Sequence, residues 1–162
     1  PPPAFVARAA TQRPPVERRY PTREEALSRF RLMPPQRHPP ADVMAVLAGY
    51  SVRETRDGWT WKHDQRGFPP LYDPEVAEAA AALEVPAGYV YGGESGLVDD
   101  AAAAWVRETV PSDVAVVRIP GATHHLPVDA PLACAGAVEE IVTRWERSDA
   151  GRHDAGRAGR AG

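Results

Sequence analysis

The chain has 162 residues, with 19 basic and 22 acidic side chains and therefore a formal net charge of −3. This length allows one domain with a sizeable core, because a domain of about 150 residues buries about two-thirds of its unfolded surface. The longest apolar stretch, residues 43–48, is far shorter than the roughly 18 residues of a membrane span. The single cysteine, Cys134, excludes an intramolecular disulfide and a zinc site built from several thiolates, and it favours a cytoplasmic location.

Proline and arginine dominate the first part of the chain. Residues 1–21 mix these two types with small residues and show no apolar period, which predicts an extended segment without a core of its own. Arginines outnumber acidic residues between Arg8 and Arg37, as they do in nucleic-acid-binding arms. No aromatic or glycine pattern accompanies this excess, so a solvated loop and an outer helix face are the favoured interpretation. We expect neither a nucleic acid nor a membrane as partner.

Two helices and a hairpin are predicted between residues 22 and 63. Thr22 and Glu25 form a capping box for a helix over residues 23 to about 32, which ends before two consecutive prolines. A second helix is predicted over about residues 41–50, with Asp42 near its start and one apolar face. The residues expected on this face are Val43, Val46, Leu47 and Tyr50.

The predicted hairpin pairs residues 52–56 with residues 59–63 across the turn pair Asp57-Gly58. Trp59 and Trp61 are two residues apart and therefore lie on one face of their strand. Packing against neighbouring elements is the favoured role for these rings, and lining a substrate pocket is the alternative.

From Asp73 onwards, helical and strand patterns alternate. Asp73-Pro74 predicts a helix start, and a strand within residues 85–91, a helix over about residues 99–109, a strand over residues 114–119 and a final helix opened by Asp129-Ala130-Pro131 follow. The predicted buried stripes are Val76, Ala79, Ala80 and Leu83 in the first helix, and Leu132, Val138, Ile141, Val142 and Trp145 in the last. This alternation predicts parallel strands in an α/β layered fold.

The predicted sheet is incomplete, because two parallel strands and three helices cannot cover both faces of an open sheet. The missing strands come either from another chain or, as the favoured interpretation, from a segment before Pro1. At the other end, residues 148–162 lack large apolar side chains and predict a disordered tail.

Two loops follow the predicted parallel strands, at the edge where open α/β sheets bind ligands. The loop over residues 120–126 contains His124 and His125, whose imidazoles can act as general bases near neutral pH. The loop over residues 92–98 is rich in glycine and precedes a helix, but it matches neither the dinucleotide nor the P-loop signature. We therefore expect no cofactor and no metal.

Residues 120–131, Pro-Gly-Ala-Thr-His-His-Leu-Pro-Val-Asp-Ala-Pro, resemble the histidine loop and final helix of the α/β-hydrolase family. Residues 20–36 and the Gly-Trp-Thr-Trp-Lys hairpin are similar to the helical cap that some members insert after their sixth strand. The resemblance covers about residues 20–145 and implies a partial three-layer α/β/α fold with a catalytic histidine at His124. Together with the composition of the two ends, it predicts an extended segment (1–21), a cap-like region (22–72), the C-terminal part of the core (73–147) and a disordered tail (148–162).

The chain departs from the family at the nucleophile and at the acid. The family's Gly-x-Ser-x-Gly elbow places the nucleophilic serine on a strained turn, but no serine here has both glycines. Ser51 and Ser95 each have only the first glycine, and Ser95 occupies the position where many members place the acid. The acid then comes from a segment upstream of Pro1, or from Glu94 or Asp99, although Asp99 is favoured as a helix N-cap.

The resemblance thus implies an esterase-like, serine-hydrolase-like enzyme that acts on a small-molecule substrate, with His124 as the general base that deprotonates a serine or activates water. The sequence leaves open whether the nucleophile is Ser, Asp or Cys. We expect this chain, as a C-terminal fragment without the nucleophile, to be inactive alone. The alternative is a non-catalytic α/β-hydrolase-like module that binds a partner chain.

Overall fold

The structure of the chain, a computed structural model, describes residues 18–37, 39–63, 74–110 and 114–158. Most of the predicted extended segment and the predicted N-cap Asp73 lie outside these residues. The helices are α1 Arg23–Ser28, α2 Ala41–Ser51, α3 Pro74–Ala81, α4 Asp100–Thr109, α5 Leu126–Asp129 and α6 Pro131–Ala158; the strands are β1 Val52–Thr55, β2 Gly58–Trp61, β3 Gly88–Gly92 and β4 Ala115–Ile119. Within the described ranges, no helix combines the length and the apolar character needed to cross a membrane.

Helix α1 begins where the sequence predicts and ends four residues early. The hydroxyl of Thr22 accepts a hydrogen bond from the backbone N–H of Glu25 at 3.1 Å, as an N-cap does. At the other end, the Ser28 hydroxyl donates to the carbonyl of Glu25, and the Arg31 guanidinium donates to the carbonyls of Ser28 and Phe30. Side chains therefore satisfy the terminal carbonyls, and the helix stops before the prolines are reached.

Strands β1 and β2 form the predicted antiparallel hairpin, with Val52 opposite Trp61 and Thr55 opposite Gly58. The two-residue loop is thus Arg56-Asp57, one position before the predicted pair. Gly58 opens β2 with a φ of 113°, and a Cβ atom there would lie 2.5 Å from the carbonyl oxygen of Tyr20. Glycine is required at this position because the chain before α1 pairs closely with the hairpin.

A small core joins α1 to the hairpin. Tyr20, Ala26 and Val52 are buried, and both predicted tryptophans pack against them. The Trp61 ring meets Tyr20 edge-on at 5.4 Å, and the Arg23 guanidinium lies 5.9 Å from the centre of a Trp59 ring. The contacts match the favoured interpretation, in which the tryptophans pack this region together.

Helix α2 has the predicted extent but does not bury the predicted face. Ala48 is its buried residue, whereas Val46 is exposed and Tyr50 has 76% of its surface exposed. The predicted face is therefore wrong at these two positions. The reason is that α2 meets α1 through small residues, with Gly49 next to the Arg23 side chain, while Val46 and Tyr50 face outwards.

Strands β3 and β4 are parallel neighbours, with Gly88 opposite Ala115 and Gly92 opposite Ile119. Helix α4 lies between them in the chain, so the predicted α/β alternation is confirmed. The Asp99 carboxylate accepts from the backbone N–H of Ala102 at 2.9 Å and caps α4 as predicted.

Helix α6 covers one face of this sheet with a narrower stripe than predicted. Ala137 and Ile141 are buried, Cys134 and Trp145 are half-buried, and the Ile141 side chain lies 3.0 Å from a Cβ placed on Gly88. The prediction is wrong for Leu132, which is 87% exposed, and for Val138 and Val142, which are also exposed. The prediction is also wrong for Val76 in α3 and for Leu83, which lies just beyond the end of that helix, because both are exposed. Apolar residues occur on more than one side of these helices, so the sequence alone does not show which side packs.

The last helix also continues to Ala158, through most of the predicted tail. A lack of apolar residues removes tertiary contacts but leaves the backbone hydrogen bonds of a helix available, and alanine and arginine are strong helix formers. The remaining four residues of the predicted tail lie outside the described chain.

Candidate active site

The loops after β3 and β4 meet at the carboxyl edge of the parallel sheet, as the sequence predicts. The N–H of Gly93 donates to the carbonyl of Ile119, and the N–H of Glu94 donates to the carbonyl of Ala122, each at 2.9 Å. A Cβ atom on Gly92 would lie only 1.9 Å from the carbonyl oxygen of Thr123. The histidine loop can therefore pack against the end of β3 only because residue 92 is glycine.

His124 lies in this loop and contacts Ser95 across the two strands. The Nδ1 atom of His124 is 3.1 Å from the Oγ atom of Ser95. The same oxygen accepts hydrogen bonds from the backbone N–H groups of Leu97 at 3.2 Å and Val98 at 3.1 Å. The residue at the family's acid position thus reaches the imidazole nitrogen that an acid would hold, with a hydroxyl instead of a carboxylate.

The two acids considered as substitutes within the chain have other partners. The Glu94 carboxylate forms an ion pair with Arg37 at 2.7 Å, and the Asp99 carboxylate caps α4. Neither hydrogen bond involves His124. The structure therefore gives these two residues roles in loop and helix structure.

The surroundings of His124 favour its neutral form. Burial lowers the pKa of this imidazole below its usual value, and the adjacent His125 lowers it further because a second positive charge nearby is unfavourable. The two rings meet edge-on with their centres 5.1 Å apart. A neutral imidazole is the form that a general base needs before reaction.

Asp129 stabilises the conformation of the histidine loop through hydrogen bonds to Thr123. Its Oδ2 atom accepts from the backbone N–H of Thr123 at 2.7 Å and from the Thr123 hydroxyl at 2.6 Å. The sequence assigned Asp129 to the start of the final helix, but it ends the short helix α5, which the sequence did not predict. Its bonds to Thr123 close the turn that contains His124 and His125.

Gln36 connects the cap-like region to this loop. Its amide nitrogen donates to the carbonyl of His125 at 3.2 Å, and its Oε1 atom contacts the Thr123 hydroxyl and the backbone N–H of His125. Sequence reasoning placed Gln36 only within a cap motif, because nothing in the local pattern indicates a partner almost ninety residues away. The segment after α1 is therefore linked to the histidine loop through Gln36.

Neither serine with a partial elbow motif is placed as a nucleophile. The Ser51 hydroxyl donates to the carbonyl of Leu47 within α2 at 2.7 Å, as a helix-interior serine does. Ser95 contacts the Nδ1 atom of His124, whereas the nucleophile of a Ser-His-Asp triad contacts Nε2. Among the described residues, the site thus contains His124 and Ser95 but no elbow serine.

Solved structures of three hydrolytic proteins resemble the chain, at sequence identities below 25%. An esterase from Mycobacterium tuberculosis matches 87% of this chain with 49% of its own, at 21% identity and a TM-score of 0.66. E-2-(acetamidomethylene)succinate hydrolase matches 86% with 51% of its own, at 20% identity and a TM-score of 0.60. A thioesterase domain from the curacin biosynthetic pathway matches 79% with 44% of its own, at 24% identity and a TM-score of 0.54.

The chain thus spans about half the length of these structures. No protein-family model and no curated protein sequence matches it. From these matches and the order of its elements, the chain has the α/β-hydrolase fold.

Proposed function

We propose that this chain supplies the histidine side of an esterase-like active site, with His124 as the general base. The observation that carries the proposal is the position of His124, which follows β4 directly at the carboxyl edge of the sheet and lies beside the loop after β3. Ligand sites of open α/β sheets lie at this edge. The names of the similar structures, a hydrolase, an esterase and a thioesterase, support the same chemistry.

In the proposed reaction, His124 takes the proton of a serine hydroxyl as that oxygen attacks the carbonyl of a small-molecule ester. The imidazolium then gives the proton to the leaving alcohol, and water hydrolyses the acyl-enzyme by the same proton transfers. The nucleophile belongs to polypeptide outside these 162 residues, because their sequence has no elbow motif. The chain alone is therefore expected to be inactive, and its single cysteine supports a reducing, cytoplasmic location.

The test compares histidine variants in the complete protein encoded by the gene. His124→Ala is expected to lower the hydrolysis of short p-nitrophenyl esters by about 10³-fold or more, because loss of a catalytic histidine removes the proton transfers. His63→Ala, on the exposed end of the hairpin, is the matched control and is expected to keep wild-type turnover. Full turnover by a folded His124→Ala variant would overturn the proposal.

A second candidate is a non-catalytic α/β-hydrolase-like module that binds a partner chain. The hydroxyl at the acid position and the exposed apolar side chains of α6, above all Leu132, favour it. Labelling of the complete protein with a fluorophosphonate probe separates the two candidates. A labelled elbow serine supports the enzyme, and an unlabelled protein without esterase activity supports the binding module.

A further inference from the structure

Among the residues that the structure describes, the hydroxyl of Ser95 has three hydrogen-bonding neighbours, and their identities determine the direction of each bond. Two of them, the backbone N–H groups of Leu97 and Val98, can only donate. The third is the Nδ1 atom of His124, which donates or accepts according to the tautomer of the ring. The question is therefore where the imidazole carries its proton.

A serine hydroxyl offers two acceptor positions and one proton. The N–H groups of Leu97 and Val98 occupy both acceptor positions of Ser95. The remaining O–H proton points to the Nδ1 atom of His124, which must then accept. A neutral imidazole that accepts at Nδ1 carries its own proton on Nε2.

We infer that Ser95 is a positioning residue that holds neutral His124 in its Nε2–H tautomer. The inference concerns the same site as the proposed function and rests on it for the catalytic consequence. A triad carboxylate acts in the opposite way, because it accepts a hydrogen bond from the Nδ1–H group and leaves the lone pair of Nε2 free for the nucleophile's proton. With Ser95 in that place, Nε2 is a donor and cannot take the nucleophile's proton until the ring has changed tautomer.

The catalytic consequence is a slower proton transfer than a carboxylate partner would give. Holding the histidine of a serine-protease triad in the wrong tautomer lowers kcat by about 10⁴-fold. Replacement of Ser95 by aspartate is then expected to raise kcat in the complete protein, with about 10⁴-fold as the upper limit. A serine with only a structural role in the loop gives no such gain.

The direct test is the nitrogen NMR spectrum of the imidazole rings in the complete protein labelled with ¹⁵N-histidine. The signals of His124 are assigned by their absence from a His124→Gln variant. In the wild-type chain we expect a protonated Nε2 and an unprotonated Nδ1. Ser95→Asp is expected to move the proton to Nδ1, and Ser95→Ala is expected to give a mixture of both tautomers.

Ser95→Thr is the matched control, since threonine keeps a hydroxyl at the same position and is expected to retain the wild-type tautomer. If Ser95→Asp fails to fold, the comparison of Ser95→Thr with Ser95→Ala still tests the inference. A wild-type proton on Nδ1, or an unchanged tautomer in Ser95→Ala, would overturn the inference. Because the spectrum does not depend on turnover, an inactive complete protein would reject the proposed function without deciding the tautomer.

Discussion

His124 and His125 are neighbours in sequence with different surroundings. The backbone of His125 is held on both sides by the Gln36 amide, and its Nε2 atom is buried without a hydrogen-bond partner among the described residues. The ring of His124 instead has a defined partner in Ser95 and is half-buried next to the loop after β3. His125 therefore anchors the loop through its backbone, whereas the ring of His124 can take part in proton transfer.

The lowered pKa of His124 predicts how stability depends on pH. The usual pKa of the imidazole is 6.5, and burial and His125 reduce it in the folded protein. The unfolded chain thus binds the proton more readily, so the contribution of His124 to stability is complete above about pH 6.5 and is lost as the pH falls below this value. We expect His124→Gln to show a smaller loss of stability than the wild type over this range.

Urea unfolding curves on either side of about pH 6.5 measure this difference. Carboxylates titrate in both proteins, so the comparison of the variant with the wild type isolates the imidazole. Parallel stability profiles for the two proteins would contradict the predicted effect.

At the scale of single elements, the predictable features are those decided within a few residues. Thr22 and Asp99 cap their helices as predicted, because an N-cap needs only its own side chain and the next turn of backbone. The hairpin is also found, although Gly58 lies one position later than expected relative to the turn. Tyr20 pairs with Trp59 beside this turn, a contact across almost forty residues that no local pattern shows.

Gly92 is the element-scale position on which the candidate site depends most directly. A Cβ atom there would overlap the backbone oxygens of Ala122 and Thr123, so neither neighbour can move aside without displacing the histidine loop. We expect Gly92→Ala to lower the free energy of unfolding by about 1–3 kcal/mol, as overpacked sites do. Chemical denaturation measures this loss, and the NMR signals of His124 are expected to shift with it.

Gly136 provides the matched control, since it lies in α6 and a Cβ atom there meets nothing within 4 Å. Gly136→Ala is expected to stabilise the protein by about 0.5–1 kcal/mol, because alanine loses less backbone entropy than glycine in a helix. Equal effects of the two substitutions would show that the close approach at residue 92 is not a constraint in solution.

At the scale of the whole molecule, the cap-like region and the sheet are joined at the candidate site itself. The ion pair between Arg37 and Glu94 is largely exposed and contributes little to stability. Gln36 contributes more to the arrangement, because its amide bonds to the half-buried backbone of His125. The sequence of the two loops identifies His124 and Ser95, the residues of the proposed chemistry. It does not predict the contact between them or the contact of Gln36 with His125, because both depend on the assembled fold.

The same dependence explains why the packed face of α6 was predicted only in part. Apolar residues occur on more than one side of this helix, and the sheet covers the side with Ala137 and Ile141, where the missing Cβ of Gly88 leaves room for Ile141. Leu132 is left facing outwards, although it is as apolar as the residues that pack. The position of the sheet, and not residue type alone, therefore decides which residues of α6 contribute to stability.

Two alanine substitutions test this selection. Ile141→Ala is expected to cost about 2–5 kcal/mol of unfolding free energy, because Ile141 is 5% exposed and its removal leaves a cavity against β3. Leu132→Ala is expected to change stability by less than about 0.5 kcal/mol, because that side chain is 87% exposed. Urea unfolding of both variants measures the difference. If Leu132→Ala were the costlier change, α6 would pack through the stripe that its sequence predicts, and the helix would be rotated relative to the sheet and to the histidine loop that precedes it.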